Sequence, residues 1–592
     1  MSRIAEFLKQ NKQTTVLTLV ILVLTGIPAF NTYLALGDPW QKIPPTFTDE
    51  TFYHARVQTI INGHPTQGNP YFLEHADGPP LVIFAGTWIN AIPQLSGLSL
   101  NASLTFNFVL WSLLFAASLY WLFSTLRVNS WIAVIGTIFV YVQSYSHIWR
   151  PVNLQPVYPF YFLFYIALLR LIREQSKKNV ILLAVATGAS FYLLAYLWQI
   201  AVITLGLLFL YACFTKKWSL GKATLLASFI GGFLGLPVPL YALWLSHSSP
   251  YFWESVGRLG LVNTHLPMAE IVYSGGWIIL LLALLAILYW KSRNLREDKE
   301  FINLSLFITI SGLGLWIMQG SNLFTGKLLE TGEHIKTLLQ PWLIFSTLCI
   351  GTLLWTRRWR LSNQLIIISS VILGVLILVS ANFASHRFYS FIPARDGHDP
   401  WITAQLYAQP FDWLQEREIN PVVVWSEPIN DITTYLPIIT KHFVLYAWAG
   451  MMELLSDDEV QERYLVSQYF NNPTLEQLKD PDNMRVYLGR HDMPHAAKTE
   501  ERKIKICRII FFWDSNKDCG TPQTPAEYLG DAFFVDLENK FQNDIKPNIK
   551  AYLKKYHVSY ILKDKILNPS YHPEVLGAKR VYADDRFELW QL

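Results

Sequence analysis

About eleven runs of roughly 20 mostly apolar residues, the length needed to cross a bilayer, lie within the first 384 positions of this 592-residue chain. They fall near 14–36, 101–125, 130–148, 157–173, 180–196, 197–214, 223–245, 272–290, 302–320, 337–355 and 363–383. The stretch 180–214 is too long for one helix and is divided near Leu197. A polytopic α-helical membrane protein of about 11 transmembrane helices is therefore expected. Charge supports the division. Up to Ala384 there are 24 Lys+Arg and 14 Asp+Glu, about 10% of the residues. From Ser385 onward there are 24 and 30, about 26%, close to the roughly 25% of soluble domains. The chain thus reads as a membrane domain over 1–384 and an α/β domain over 385–592, and not as a soluble enzyme, a secreted protein or a nucleic-acid binder.

Basic loops stay in the cytoplasm. With the N-terminus inside and the spans alternating, the inside loops carry 18 of the 24 basic residues of the first part, among them Arg3, Arg127, Arg170, Arg173, Lys216, Lys291, Arg357 and Arg360. Nine of its 14 acids fall outside. The apolar run Val16–Leu36 is longer than a signal-peptide core and has no clear small-residue cleavage site, so it reads as an uncleaved first span. This topology predicts a multi-pass protein of the plasma (inner) membrane, with the C-terminal domain extracytoplasmic. In that domain, strands are expected at Val422–Ser426, Phe443–Ala447, Ile504–Trp513 and Val558–Lys563. A hairpin is expected to pair Lys579–Tyr582 with Phe587–Gln591, and helices to occupy 400–418, 454–470 and 531–555. Cys507 and Cys519 are close enough in sequence to pair in an oxidising compartment.

About sixty residues, 37–100, separate the first two spans. A structured loop of that length in a compact protein is usually functional. Thr48 is a good N-cap, with Asp49 and Glu50 in the first turn of the helix that follows. On that helix Asp49, Tyr53 and Arg56 share one face, and Glu50 pairs with His54 at i, i+4 on the next. Glu74 and His75 lie further along, and the run Leu81–Ile92 is too short to span and reads as an interfacial helix. A carboxylate held beside a phenol, an imidazole and a guanidinium can take a proton from a hydroxyl. It can equally hold a divalent metal such as Mg or Mn, although no dedicated metal-ligand set and no cofactor motif is present.

The string Asp49-x-x-x-Tyr53-His54-x-Arg56, then Gly63-His64-Pro65, Asn69-Pro70-Tyr71 and Gly78-Pro79-Pro80-Leu81, is similar to the first external loop of oligosaccharyltransferase catalytic subunits. The acid pair followed by aromatics and His resembles the protein O-mannosyltransferases. Both belong to the GT-C superfamily of glycosyltransferases that use polyprenyl-linked sugars. The resemblance covers residues 14–100 in motif and 1–384 in architecture. It implies a catalytic Asp49, with Glu50 beside it. No Trp-Trp-Asp string is present, and Asn69 stands where oligosaccharyltransferases have an acid before Pro-Tyr.

A polyprenyl phosphate or pyrophosphate brings anionic charge that outside cations must meet. Those cations are Lys42, Arg56, Arg150, Arg258, Lys327 and Lys336, with His147, His247, His265 and His334. Lys327, His334 and Lys336, in the loop leading to the tenth span, are the strongest phosphate candidates, followed by Arg150. The substrate-binding set is thus His54, Arg56, Glu74, His75, Arg150, Lys327, His334 and Lys336. The function expected is an inverting membrane glycosyltransferase, passing sugar from a polyprenyl-phosphate donor to a glycan, lipid or protein hydroxyl in the cell envelope. A transporter or flippase of a lipid-linked saccharide, or a non-catalytic membrane scaffold or sensor, remains open as the other reading.

Overall fold

The computed structural model describes residues 11–36, 43–44, 50–126, 129–148, 152, 154–266, 270–328, 331–357, 362–369, 371–375, 403–427, 432–488, 495–514 and 516–592. The protein is a mostly helical membrane protein. Among the described residues five helices are long and apolar enough to cross a membrane: Leu100–Thr125, Leu154–Arg173, Ala195–Phe214, Lys299–Gln319 and Thr337–Thr356. A sixth span forms if Trp218–Gly235 and Pro237–Ser248 act together. These two meet at a 46° bend, where Pro237 starts the second helix without an N–H to continue the first. Shorter apolar helices stand at four more of the expected places, Lys12–Ile27, Ser130–Ser144, Gly275–Lys291 and Asn363–Val375. The split expected near Leu197 falls a little earlier, between Lys177–Phe191 and Ala195–Phe214. There the freed carbonyl of Tyr192 accepts from the N–H of Ala85, at 2.7 Å.

Aromatic rings fill the bundle core. Phe115, Tyr141, Tyr158, Phe162 and Tyr165 are all fully buried. Pro341, inside Thr331–Thr356, cannot donate to the carbonyl four residues back. The Tyr158 hydroxyl donates to that Thr337 carbonyl at 3.0 Å, and Tyr161 to the next one at 3.0 Å. At one end of the bundle Arg173 donates to both Thr125 O and Glu300, while Arg357 donates to Asp298 at 2.7 Å. These contacts gather the ends of alternate helices at one level, as an up-and-down course requires.

Two short strands, β1 (Val262–Asn263) and β2 (Lys327–Leu328), pair antiparallel outside the helices. Residues 403–592 build a five-stranded sheet from β3 (Val423–Trp425), β4 (Phe443–Val444), β5 (Val558–Asp564), β6 (Lys579–Ala583) and β7 (Phe587–Gln591), in the order β4-β3-β5-β7-β6. Strand β3 is parallel to β4 and β5, and β7 is antiparallel to β5 and β6. The expected hairpin is closed by the Asp584 carboxylate, which accepts from the N–H of Arg586 at 2.8 Å and of Phe587 at 2.7 Å. The strand expected over Ile504–Trp513 is instead the C-terminal part and exit of a helix, His495–Ile510. Glu500–Lys503 and Glu501–Lys505 pairs, at helical spacing, favour that state over an extended one. Cys507 and Cys519 form a disulfide, with Cα atoms 5.7 Å apart.

The first loop lies in the same core as this sheet. Phe52, Ala55, Tyr71, Phe72 and Ala76 are buried with Phe411, Val424, Trp425 and Tyr446. The carbonyl of Tyr71 accepts from the N–H of Val444 in β4 at 2.9 Å. Further along the loop, the helix Ala85–Leu95 buries Gly86, Thr87, Asn90 and Ala91 and exposes Trp88, Ile92 and Leu95 at i, i+4 and i+7. That amphipathic face is what an interfacial helix needs.

Candidate active site

The loop helix Glu50–Ile61 begins at the second acid of the pair. Asp49 and Arg150 lie outside the described residues, as do the side chains of Glu50, His334 and Lys336. What the structure defines is how that helix is held, and it is held on two faces.

One face is gripped by residues that precede and follow strand β4 in the C-terminal sheet region. Arg56 Nε donates to Glu453 Oε1 at 2.8 Å and Nη2 to Oε2 at 2.9 Å, with both side chains 5% exposed or less. Beneath the guanidinium lies the ring of Phe52, its centroid 4.5 Å away. A buried charge needs such a partner. Arg56 is therefore spent on holding the helix. Glu453 belongs to the stretch after the short 3₁₀ turn Trp448–Met452, and Arg258 clamps the same stretch to the membrane domain. Arg258 donates to the carbonyls of Met451 at 2.8 Å and Leu455 at 2.7 Å, and its charge meets Asp457.

His54 points the other way. It is 2% exposed, and among the described residues neither ring nitrogen has a hydrogen-bond partner. Burial lowers its pKa to about 4, so the ring is neutral. It lines a narrow cavity with Val57, Asn90, Gln94, Asn107, Val152 and Gln155. Gln155, at the start of Leu154–Arg173, likewise has both amide atoms without a partner among the described residues. Val152 holds φ at +69°, a conformation that a β-branched residue adopts only under strain. Asn90 is fixed by Trp111 Nε1, which donates to its Oδ1 at 3.0 Å, while Asn107 Nδ2 donates to the carbonyl of Asn90 at 2.9 Å. Among the described residues the chamber is lined mostly by polar, uncharged side chains shared between the loop and the bundle.

Past the helix the loop turns sharply. Gly68 is required there, because a Cβ would stand 2.3 Å from the carbonyl oxygen of His75 and 2.6 Å from that of Ala76. Asn69 closes the turn. Its Oδ1 accepts from the N–H of Tyr71 at 2.9 Å and of Phe72 at 3.2 Å, and its Nδ2 donates to Gly450 O at 2.7 Å. This is the position where oligosaccharyltransferases carry an acid, and here it is a capping and bridging amide. Glu74 accepts from Arg463 Nη2 at 2.7 Å, and His75 Nε2 donates to Glu459 at 2.9 Å. Arg463, 1% exposed, also donates Nε to Glu459 at 2.9 Å and lies between the rings of Phe72 and Tyr556. Burial works to raise the Glu459 carboxyl, but His75 and Arg463 outweigh it and hold it at about 2.

The predicted residues therefore divide. Arg56, Glu74 and His75 converge on the C-terminal domain, through Glu453, Glu459 and Arg463. His54 faces the chamber against the bundle. Lys327 is exposed in β2, its ammonium 3.8 Å from the centroid of the Trp253 ring. Gly326, before it, adopts the left-handed conformation at φ +66°. Among the described residues no group of three His, Cys, Asp or Glu side chains is placed to hold a metal ion. Glu453, Glu459 and Arg463 escaped the sequence reading because their partners lie nearly 400 positions away and no local pattern marks them. Gln155 carried a weak signal as a polar side chain at the start of an otherwise apolar span.

No family model matches the sequence, and no curated protein does. Several solved structures are similar to it, among them these two. One is the oligosaccharyltransferase of Archaeoglobus fulgidus in the apo form, 9% identical over 92% of this chain and 69% of that one, with a TM-score of 0.44. The other is ArnT from Cupriavidus metallidurans bound to undecaprenyl phosphate, 10% identical over 97% and 98%, with a TM-score of 0.39. At these scores the likeness is one of overall course, and what the site does rests on its residues.

Proposed function

We propose that the protein is an inverting glycosyltransferase of the GT-C type, taking sugar from a polyprenyl-phosphate donor at the outer face of the membrane. The observation that carries this reading is the double grip on the helix Glu50–Ile61. Arg56–Glu453 ties it to the tail, and the chamber around His54 and Gln155 joins it to the bundle. A helix so fixed holds its N-terminal end in place, and in the sequence Asp49 and Glu50 stand at that end. Fixed geometry is what a general base needs.

In the reaction, the carboxylate of Asp49 accepts the proton of the acceptor hydroxyl as its oxygen attacks the anomeric carbon. The bond from that carbon to the phosphate oxygen breaks, and the polyprenyl phosphate leaves with the electron pair. Glu50 orients the acceptor. Lys327, with Arg150, His334 and Lys336, meets the charge that develops on the leaving phosphate. The first loop and the domain over 385–592 lie on the extracytoplasmic side and together frame the acceptor site.

Asp49→Asn in proteoliposomes supplied with labelled polyprenyl-phosphate sugars and cell-envelope acceptors is expected to lower transfer by about 10²–10⁴-fold while insertion and expression persist. Transfer at near the parent rate would remove Asp49 from the base role.

A further inference from the structure

The loop that the Cys507–Cys519 disulfide closes carries an apolar cluster that nothing in the protein covers among the described residues. Ile509 is 67% exposed, Ile510 50%, Phe512 80% and Trp513 68%. The ring of Trp513 stands 5.1 Å from that of Phe512 and 6.2 Å from that of Phe511, centroid to centroid. The disulfide therefore holds a compact aromatic knob at the end of the helix His495–Ile510. Contiguous exposed apolar surface of this kind marks an interaction site.

Two further observations say what it meets. The first is charge. Residues 495–519, the helix and the disulfide-closed loop, hold Lys498, Arg502, Lys503, Lys505, Arg508 and Lys517 against Glu500, Glu501, Asp514 and Asp518, whereas the region from Ser385 onward has 24 basic and 30 acidic residues. The helix that leads into the apolar cluster is thus net basic in an otherwise acidic region, Lys503 and Lys505 being paired with Glu500 and Glu501. The second is position. The helix His495–Ile510 packs on β1, which pairs with β2 in the loops that join the membrane helices. Those same loops expose Trp253 and Phe324, aromatic side chains at the ends of membrane helices, where the interface favours them.

We propose that Ile509, Ile510, Phe512 and Trp513 insert into the interface of the surrounding bilayer, with the Lys and Arg side chains of the preceding helix set against anionic headgroups. The disulfide-closed loop is then a lipid anchor that fixes one corner of the C-terminal domain to the membrane. This docking goes beyond the glycosyltransferase reading and does not depend on it.

The full chain carrying Phe512→p-benzoylphenylalanine is reconstituted in nanodiscs of phosphatidylglycerol or of phosphatidylcholine, irradiated, and its peptides weighed. A phospholipid adduct on the peptide holding residue 512 is expected, several-fold more abundant with phosphatidylglycerol. Arg508→Gln with Lys505→Gln should remove that excess while leaving the phosphatidylcholine yield unchanged. An adduct to residues 376–402 or to a second copy of the chain, or no adduct at all, overturns the proposal. Equal yields in the two lipids overturn its electrostatic part.

Discussion

His54 is a base kept neutral by burial alone, and that makes its protonation a measure of folding. The unfolded chain protonates this ring below about 6.5, whereas the folded protein resists until about 4. The folded state is therefore favoured fully above pH 6.5, and the contribution is lost as pH falls from 6.5 to 4. Between pH 7 and pH 5 the loss is about 2 kcal/mol, read as a fall in the melting midpoint that His54→Gln reduces. A part remains in the variant, because burial also lowers His442 to about 4. Glu459 acts in a separate window. Held at about 2 against an ordinary 4.5, it stabilises above pH 4.5 and fails only as pH drops toward 2. The Arg56–Glu453 pair gives a second residue-level expectation. Glu453→Gln leaves the Arg56 charge buried against an amide, and removing one partner of such a pair costs about 3–5 kcal/mol. The midpoint in detergent should fall, and the loop should become sensitive to protease.

Elements in this protein are decided partly by their own sequence and partly by what crosses them. The bend at Pro237 is local, since the missing N–H acts whatever surrounds it. The helix His495–Ile510 shows the opposite hazard, because its run Ile504–Trp513 alternates and is β-rich enough to read as a strand. The Glu–Lys pairs one turn apart were present in the sequence and outweighed by that reading. The turn at Gly68 makes a prediction at this scale. Gly68→Ala sets a methyl against two backbone carbonyls rather than against side chains able to move. The loop must then shift, separating Asn69 from Gly450 and Glu74 from Arg463. A loss of about 1–3 kcal/mol and a matching fall in transfer are expected, measured by thermal midpoint and by rate.

Across the whole molecule, the first loop and the C-terminal sheet form one hydrophobic core although more than 300 residues lie between Ala76 and Ala404. A chain ended at Ala384 should therefore still insert. Its loop, however, would lose the partners of Phe52, Tyr71 and Phe72 and the counter-charge of Arg56. Limited proteolysis is expected to cut the truncated protein within 50–80 and to spare the full chain there. Equal resistance would mean that the loop folds against the bundle alone. The sequence by itself determined the membrane class, the places of most helices, the five strands of the sheet and the loop helix Glu50–Ile61. Those features follow from runs of apolar residues, caps and turns read within about 20 positions. Only the tertiary structure decided that Arg56, Glu74 and His75 serve the joint with the tail, that Asn69 is a bridging amide, and that His54 and Gln155 share a polar chamber. A side chain's type limits what it can bind. Its partner is set by which distant element the fold brings within 3 Å, and the energy of a buried charge or amide depends almost wholly on that partner.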